Sequence, residues 1–242
     1  MRPGRARAYR QSGLSLVELM IAMVLGLIIV AAVYNTWMGS SRSARFTEGL
    51  QTMQENGRYG VSVLQRGLRL AGYSPAQNTA FSPIDIANSS DTQVVVTLRQ
   101  AFDCNGRSTA DRDGVAVNVY AYEAVPGRIT CTGDSPAAVA MSIVDDVEGF
   151  RVLYGLDEVG GDDGQGDDVP ERYVRHDEVG AAGETRIAAV RFALLVTSGS
   201  PIRRADRAED HVLLDQVVPK NDRMARAVFT STVKLRNRRS GS

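Results

Sequence analysis

The chain has 242 residues with 28 Lys+Arg against 28 Asp+Glu, 2 His, 2 Cys and 43% hydrophobic residues. That length holds one sizeable domain, or a domain with an appendage; the composition excludes a disordered or collagenous chain, and zero net charge excludes a nucleic-acid binder with a wholly basic surface. The balance is uneven, since Arg2, Arg5, Arg7 and Arg10 stand in residues 1–13 without an acid, leaving 24 basic and 28 acidic side chains in residues 14–242.

Leu14 to Tyr34 is a run of 21 residues whose only strongly polar member is Glu18. As a helix rising ~1.5 Å per residue it is about 31 Å long, the thickness of a bilayer's hydrocarbon. The arginines before it place the N-terminus in the cytoplasm and everything after about Trp37 on the far side, with Tyr34 and Trp37 at the outer interface. A secretory signal peptide also starts basic and apolar, but its cleavage site follows the apolar stretch. Only Ala31-Ala32 offers one here; the run is longer than such a core, and it contains a carboxylate. A carboxylate in a span costs about 2.5–3.5 kcal/mol, so Glu18 is expected either to have a partner or to reach the headgroups from its place near the start of the run.

Gly13-Leu14-Ser15-Leu16-Val17-Glu18 behind a short basic leader resembles the class III signal of type IV prepilins. The resemblance implies cleavage between Gly13 and Leu14 by a membrane-embedded prepilin peptidase and N-methylation of the new N-terminal residue. It also implies a role for Glu18 as partner of a neighbouring subunit's N-terminal amine, each charge compensating the other's desolvation. Leu14 departs from the phenylalanine or methionine more usual there.

Phe46, Leu50, Met53, Val61, Leu64, Leu68 and Ala71 then recur at helical steps between charged and amide residues, predicting an amphipathic helix that stops at Gly72. Residues 14–71 read as one helix, or as two hinged at Gly39-Ser40-Ser41, with the apolar stripe packed on a domain. Gly49, Gly57, Gly60 and Gly67 each weaken a helix by roughly 0.8–1 kcal/mol relative to Ala, which points to close packing or local melting. Glu55-Asn56-Gly57-Arg58 followed by Ala71-Gly72-Tyr73 resembles the second half of the N-terminal helix in PilW-type minor pilins.

Beyond residue 75 the apolar period changes to two. Residues 93–98, 115–122, 139–143, 150–154, 187–196 and 227–235 read as strands, separated by Gly, Asp, Asn and Pro clusters. The expected fold is α+β and type IV pilin-like: a long N-terminal helix, transmembrane in its first half, on a mostly antiparallel β-sheet head. The divisions are a cleaved leader 1–13, a transmembrane and polymerisation helix 14–38, its amphipathic continuation 39–72 and a head 73–242. In the head Cys104 and Cys131 enclose 26 residues. The topology puts them in an oxidising compartment, so a disulfide is expected, stabilising by roughly 3–4 kcal/mol on the chain-entropy model. A redox or metal site there lacks C-x-x-C spacing and a nearby histidine.

His176 and His211 belong to no H-E-x-x-H pair, and neither a G-x-S-x-G elbow nor a phosphate loop is present. No catalytic residue or enzyme activity is assigned, and both histidines are expected in solvated loops. From Asp157 to Glu178 nine carboxylates stand against two arginines. Asp162, Asp163, Asp167 and Asp168 on a glycine-rich backbone are weak calcium candidates, without EF-hand spacing, against the reading of a solvated loop with no cofactor. The ending Leu235-Arg236-Asn237-Arg238 is frequent in the PilW type and reads otherwise as a solvated tail closing the sheet.

The resemblance implies a minor pilin of type IV pilus assembly or initiation, anchored once in the inner membrane with its head in the periplasm before it enters the pilus. Its implied partners are other minor pilins, the major pilin, prepilin peptidase, the inner-membrane assembly platform and the membrane, with no nucleic acid. The alternatives are a J-type pseudopilin of a type II secretion system and a tethered ligand-binding or adhesive head whose anchor never polymerises.

Overall fold

The computed structural model describes residues 13, 15–75, 82–157, 169–180 and 183–237. The leader up to residue 12, Leu14, the calcium candidates Asp162, Asp163, Asp167 and Asp168, and Arg238 lie outside the described residues. One long helix, α1 (Leu16–Leu70), is followed by ten strands: β1 (Gln93–Arg99), β2 (Val115–Glu123), β3 (Arg128–Gly133), β4 (Met141–Asp145), β5 (Val147–Leu156), β6 (Arg172–Val174), β7 (Ile187–Thr197), β8 (Arg207–Leu213), β9 (Gln216–Asp222) and β10 (Arg226–Lys234). Helical structure runs through Gly39-Ser40-Ser41 without a break. The chain divides into two compact units, one ending at Thr47 and the other beginning at Glu48.

In the second unit every strand pairing is antiparallel. One four-stranded sheet has the order β1-β2-β3-β4, another the order β10-β7-β5-β6, and β8-β9 is a separate hairpin. The α+β architecture is as expected, with the head's strands divided among these sheets. Residues 48–70 of α1 lay a face of small and large residues on the head: Gly49, Met53, Gly57, Gly60, Leu64 and Leu68 are buried. Met53, Leu64, Leu68 and Ala71 join Val96, Tyr120, Ile129, Val144, Phe192 and Leu194 in one core.

β7 explains the hairpin. Its run Ile187–Val196 is apolar on both faces, a pattern that demands cover on each side. Val190, Phe192, Leu194 and Val196 belong to the main core, whereas Ala193 and Leu195 on the other face pack with Leu213 of β8, Leu214 and Val218. β8 and β9 escaped the sequence reading because they are polar, carry Pro219 and turn through Leu214 at φ 57° rather than through an Asn-Gly pair. β3 and the three-residue β6 were likewise not anticipated. β3 carries Cys131, which is bonded to Cys104 in the expected disulfide.

Candidate functional site

Two regions carry features beyond ordinary folding: the start of α1 and the seam of α1 with the head.

Ser15 opens α1. Its hydroxyl oxygen accepts the Glu18 backbone N–H at 3.2 Å and its carbonyl accepts that of Leu19 at 3.1 Å. Ser15 is thus the N-cap, with Glu18 at the third helical position, the S-x-x-E order of a capping box. The acidic side chain also suits the positive end of the helix dipole. From Leu16 to Trp37 the large apolar side chains are at least half exposed, and none of the most apolar window is buried. This stretch is long and apolar enough to cross a membrane. Such a surface is stable only against lipid or other apolar helices. Among the described residues nothing lies within 4 Å of where a Gly13 β-carbon would stand, and the Glu18 side chain is exposed within the apolar stretch.

The seam gives the helix motifs their physical meaning. In Glu55-Asn56-Gly57-Arg58, Glu55 and Arg58 are exposed, and Glu55 accepts a hydrogen bond from Gln51 at 3.0 Å. Gly57 is buried against the ring of Phe229 of β10, where a β-carbon would overlap the ring. Gly67 similarly admits the Tyr120 side chain of β2, whose Cζ would lie 2.7 Å from an added β-carbon. The glycines therefore serve close packing rather than melting. At the helix end Gly72 takes φ +74° and packs against the Asn237 carbonyl, while Asn237 donates its side-chain amide to the carbonyls of Arg69 (3.2 Å) and Ala71 (3.1 Å). Leu235 is buried and its N–H bonds to the Ala188 carbonyl at 2.8 Å, so this ending is fixed structure as far as Asn237.

A charged hub lies on the far side of β5. Arg151, 8% exposed, donates to Asp215 through Nε and Nη2 at 2.7 Å each and to Asp91 through Nη1 at 2.5 Å. Arg175 reaches Asp215 at 2.9 Å, and His176 Nδ1 lies 3.2 Å from Asp91. The Arg151 hydrogen bonds hold the Asp215 carboxyl down at about 2. A second hub sets the Arg226 guanidinium between Glu148 and Asp222, with Lys220 on Glu148 at 2.6 Å. Here Asp222 is held at about 2 by its bonds to Arg226. Both hubs fasten the β8–β9 hairpin.

Asp91, His176 and Asp177 offer ligand atoms within 4.8 Å of one another, a spacing that a metal ion could use. The bond from Arg151 to Asp91, however, sets a guanidinium beside any such cation. His211 is in β8 opposite Val218 rather than in a loop; its Nε2 is buried without a partner, and burial lowers its pKa. The periodicity reading missed this strand, and with it both hubs, because their members are far apart in sequence.

Comparison with known proteins adds a family model described as type IV pilus-assembly protein W, which matches residues 117–237. The chain belongs to that family. A second model, the prokaryotic N-terminal methylation motif, matches residues 9–34. The first covers much of the β head and the Asn237 cap; the second covers Gly13, Glu18 and the exposed apolar stretch as far as Tyr34. Among solved structures the chain is similar to a type IV-like pilin from Thermus thermophilus, at 18% identity and a TM-score of 0.46, covering 76% of this chain and 96% of that one. No curated protein matches. Members of the pilus-assembly protein W family are structural rather than catalytic.

Proposed function

We propose that the chain is a minor pilin that is processed between Gly13 and Leu14, polymerises through α1 and acts in the initiation of a type IV pilus. The observation that carries this reading is the unpartnered apolar stretch Leu16–Trp37 directly behind Gly13, interrupted only by Glu18 among charged residues. A carboxylate near its start suits the dipole of any helix, but in one used solely as an anchor it also carries a desolvation cost of about 2.5–3.5 kcal/mol. One that leaves the membrane for a bundle of like helices can pair it with the amine of a neighbouring Leu14, where the low dielectric strengthens their attraction.

Processing removes the four leader arginines, and residues 14–242 then carry 24 basic and 28 acidic side chains. The inner membrane holds the subunit with its head in the periplasm until the assembly platform extracts it to join the other minor pilins and the major pilin. In this reading the head selects neighbours by its surface and performs no reaction.

The test is the intact mass of the protein from membranes and from sheared pili. A chain starting at Leu14, with or without one added methyl group, and present in the pilus fraction is expected. A chain that retains residues 1–13, or one confined to membranes while pili form normally without it, overturns the proposal.

A further inference from the structure

β1 ends at Arg99 and β2 begins at Val115. The connecting segment is a fixed frame. Gln100 N–H bonds to the Gly114 carbonyl at 2.9 Å, Thr109 N–H to Ala101 at 3.0 Å and Gly114 N–H to Thr109 at 2.9 Å, while the fully buried Thr109 donates its hydroxyl to the Gln100 carbonyl. Cys104 binds the same segment covalently to β3, and its N–H donates to Asn118 of β2 at 2.9 Å.

This frame borders an open, shallow pocket of about 380 Å³ whose apolar wall is Pro75, Ala101, Phe102 and Ala110. The volume is that of a small-molecule site. Phe102 is 58% exposed although it stands in a braced segment, and among the described residues Arg99 is the basic residue of the lining. The Arg99 Nε is buried without an acceptor, and among the described residues no carboxylate lies within ion-pair distance of this side chain. Buried donors are nearly always satisfied, and a guanidinium is built to meet a planar carboxylate through two parallel bonds. Asp113 also lines the pocket and disfavours a second negative charge.

We propose that this pocket binds a monocarboxylate with an apolar body, the carboxylate accepting hydrogen bonds from Arg99 and the body lying against Phe102 and Pro75. Asp113 selects against dianions such as phosphate monoesters, and Arg99 against cations. The site belongs wholly to the head and stands whether or not α1 polymerises.

The experiment uses the full-length, ¹⁵N-labelled protein in detergent micelles, with sodium phenylacetate as the probe and the Arg99 Nε–Hε resonance as the readout. A saturable shift is expected, with the uncharged phenylacetamide binding at least about ten-fold more weakly through loss of the charge-assisted bonds. Arg99→Gln is expected to abolish saturable binding as followed by the Phe102 backbone amide. Phe102→Ala, at the exposed mouth, is expected to weaken binding about five-fold or more by removing the aromatic contact and serves where the Arg99 variant does not fold. A non-saturating response, equal responses to acid and amide, or undiminished affinity in a folded variant overturns the proposal.

Discussion

Asn237 closes the C-terminal end of α1 from 166 residues away by donating its side-chain amide to the Ala71 carbonyl. A helix leaves its last four carbonyls without intrahelical donors, and here a side chain from beyond the final strand supplies one amide to two of them. Asn237→Ala is expected to destabilise the head by about 1 kcal/mol, the net worth of such bonds. Chemical denaturation of the full chain in detergent checks this, with Arg236→Ala, an exposed neighbour, expected to have almost no effect.

Gly57 is the clearest packing constraint along the seam. Ala there gains about 1 kcal/mol in helix propensity but forces its methyl group into the Phe229 ring, an overpacking that costs typically about 1–3 kcal/mol. Net destabilisation is expected, and Phe229→Ala should relieve it. A double-mutant cycle on unfolding midpoints reads the coupling, and strict additivity would contradict this contact.

Arg151 unites β5, the turn at Asp91 and the hairpin turn at Asp215. Arg151→Met keeps much of the apolar stem and leaves the Asp91 and Asp215 carboxylates without the guanidinium that joins them, Asp215 retaining only Arg175. Breaking a largely buried pair in this way costs about 3 kcal/mol. Urea unfolding at neutral pH is the measurement, and hydrogen exchange in β8 and β9 should accelerate more than in β2.

The pH dependence has a defined sign. Asp215 and Asp222 titrate at about 2 in the folded head because Arg151 and Arg226 bond to them, below the ordinary carboxylate range near ~4. Their contribution is complete above that range and is lost as pH falls through about 2. His211, lowered by burial, adds an earlier loss that begins as pH falls below the ordinary histidine value of ~6.5. The thermal midpoint is therefore expected to decline from pH 7 to 5 and again below pH 4. A His211→Gln variant should lack the first decline, and Arg151→Met should show a smaller second one.

At the start of the chain, a Gly13→Val substitution should leave an unprocessed, larger band and no incorporation into pili. Glu18→Ala should be processed normally but be at least about ten-fold depleted from sheared pili, a deficit worth ~1.4 kcal/mol of assembly free energy. Immunoblots of membrane and pilus fractions distinguish the two, and normal processing of the Gly13 variant would refute the cleavage site.

Local chemistry alone determined the α1 pattern, its exposed apolar stretch, the family motifs at Gly13–Glu18 and Glu55–Arg58, and the expectation of a Cys104–Cys131 bond. Each depends on side chains close in sequence, or on compartment and an even cysteine count. Strongly apolar alternation likewise revealed β1, β2, β5, β7 and β10. Tertiary structure decided the rest. Gly57 and Gly67 mark the places where Phe229 and Tyr120 enter the helix surface, which the glycines could not disclose without their partners. The polar strands β8 and β9 exist because β7 has a second apolar face to cover and because Arg151 and Arg226 find carboxylates at Asp215 and Asp222. Burial and ion pairing across long separations leave no period in the chain, so only the folded head could bring Asn237 to α1 and open a pocket beside Arg99.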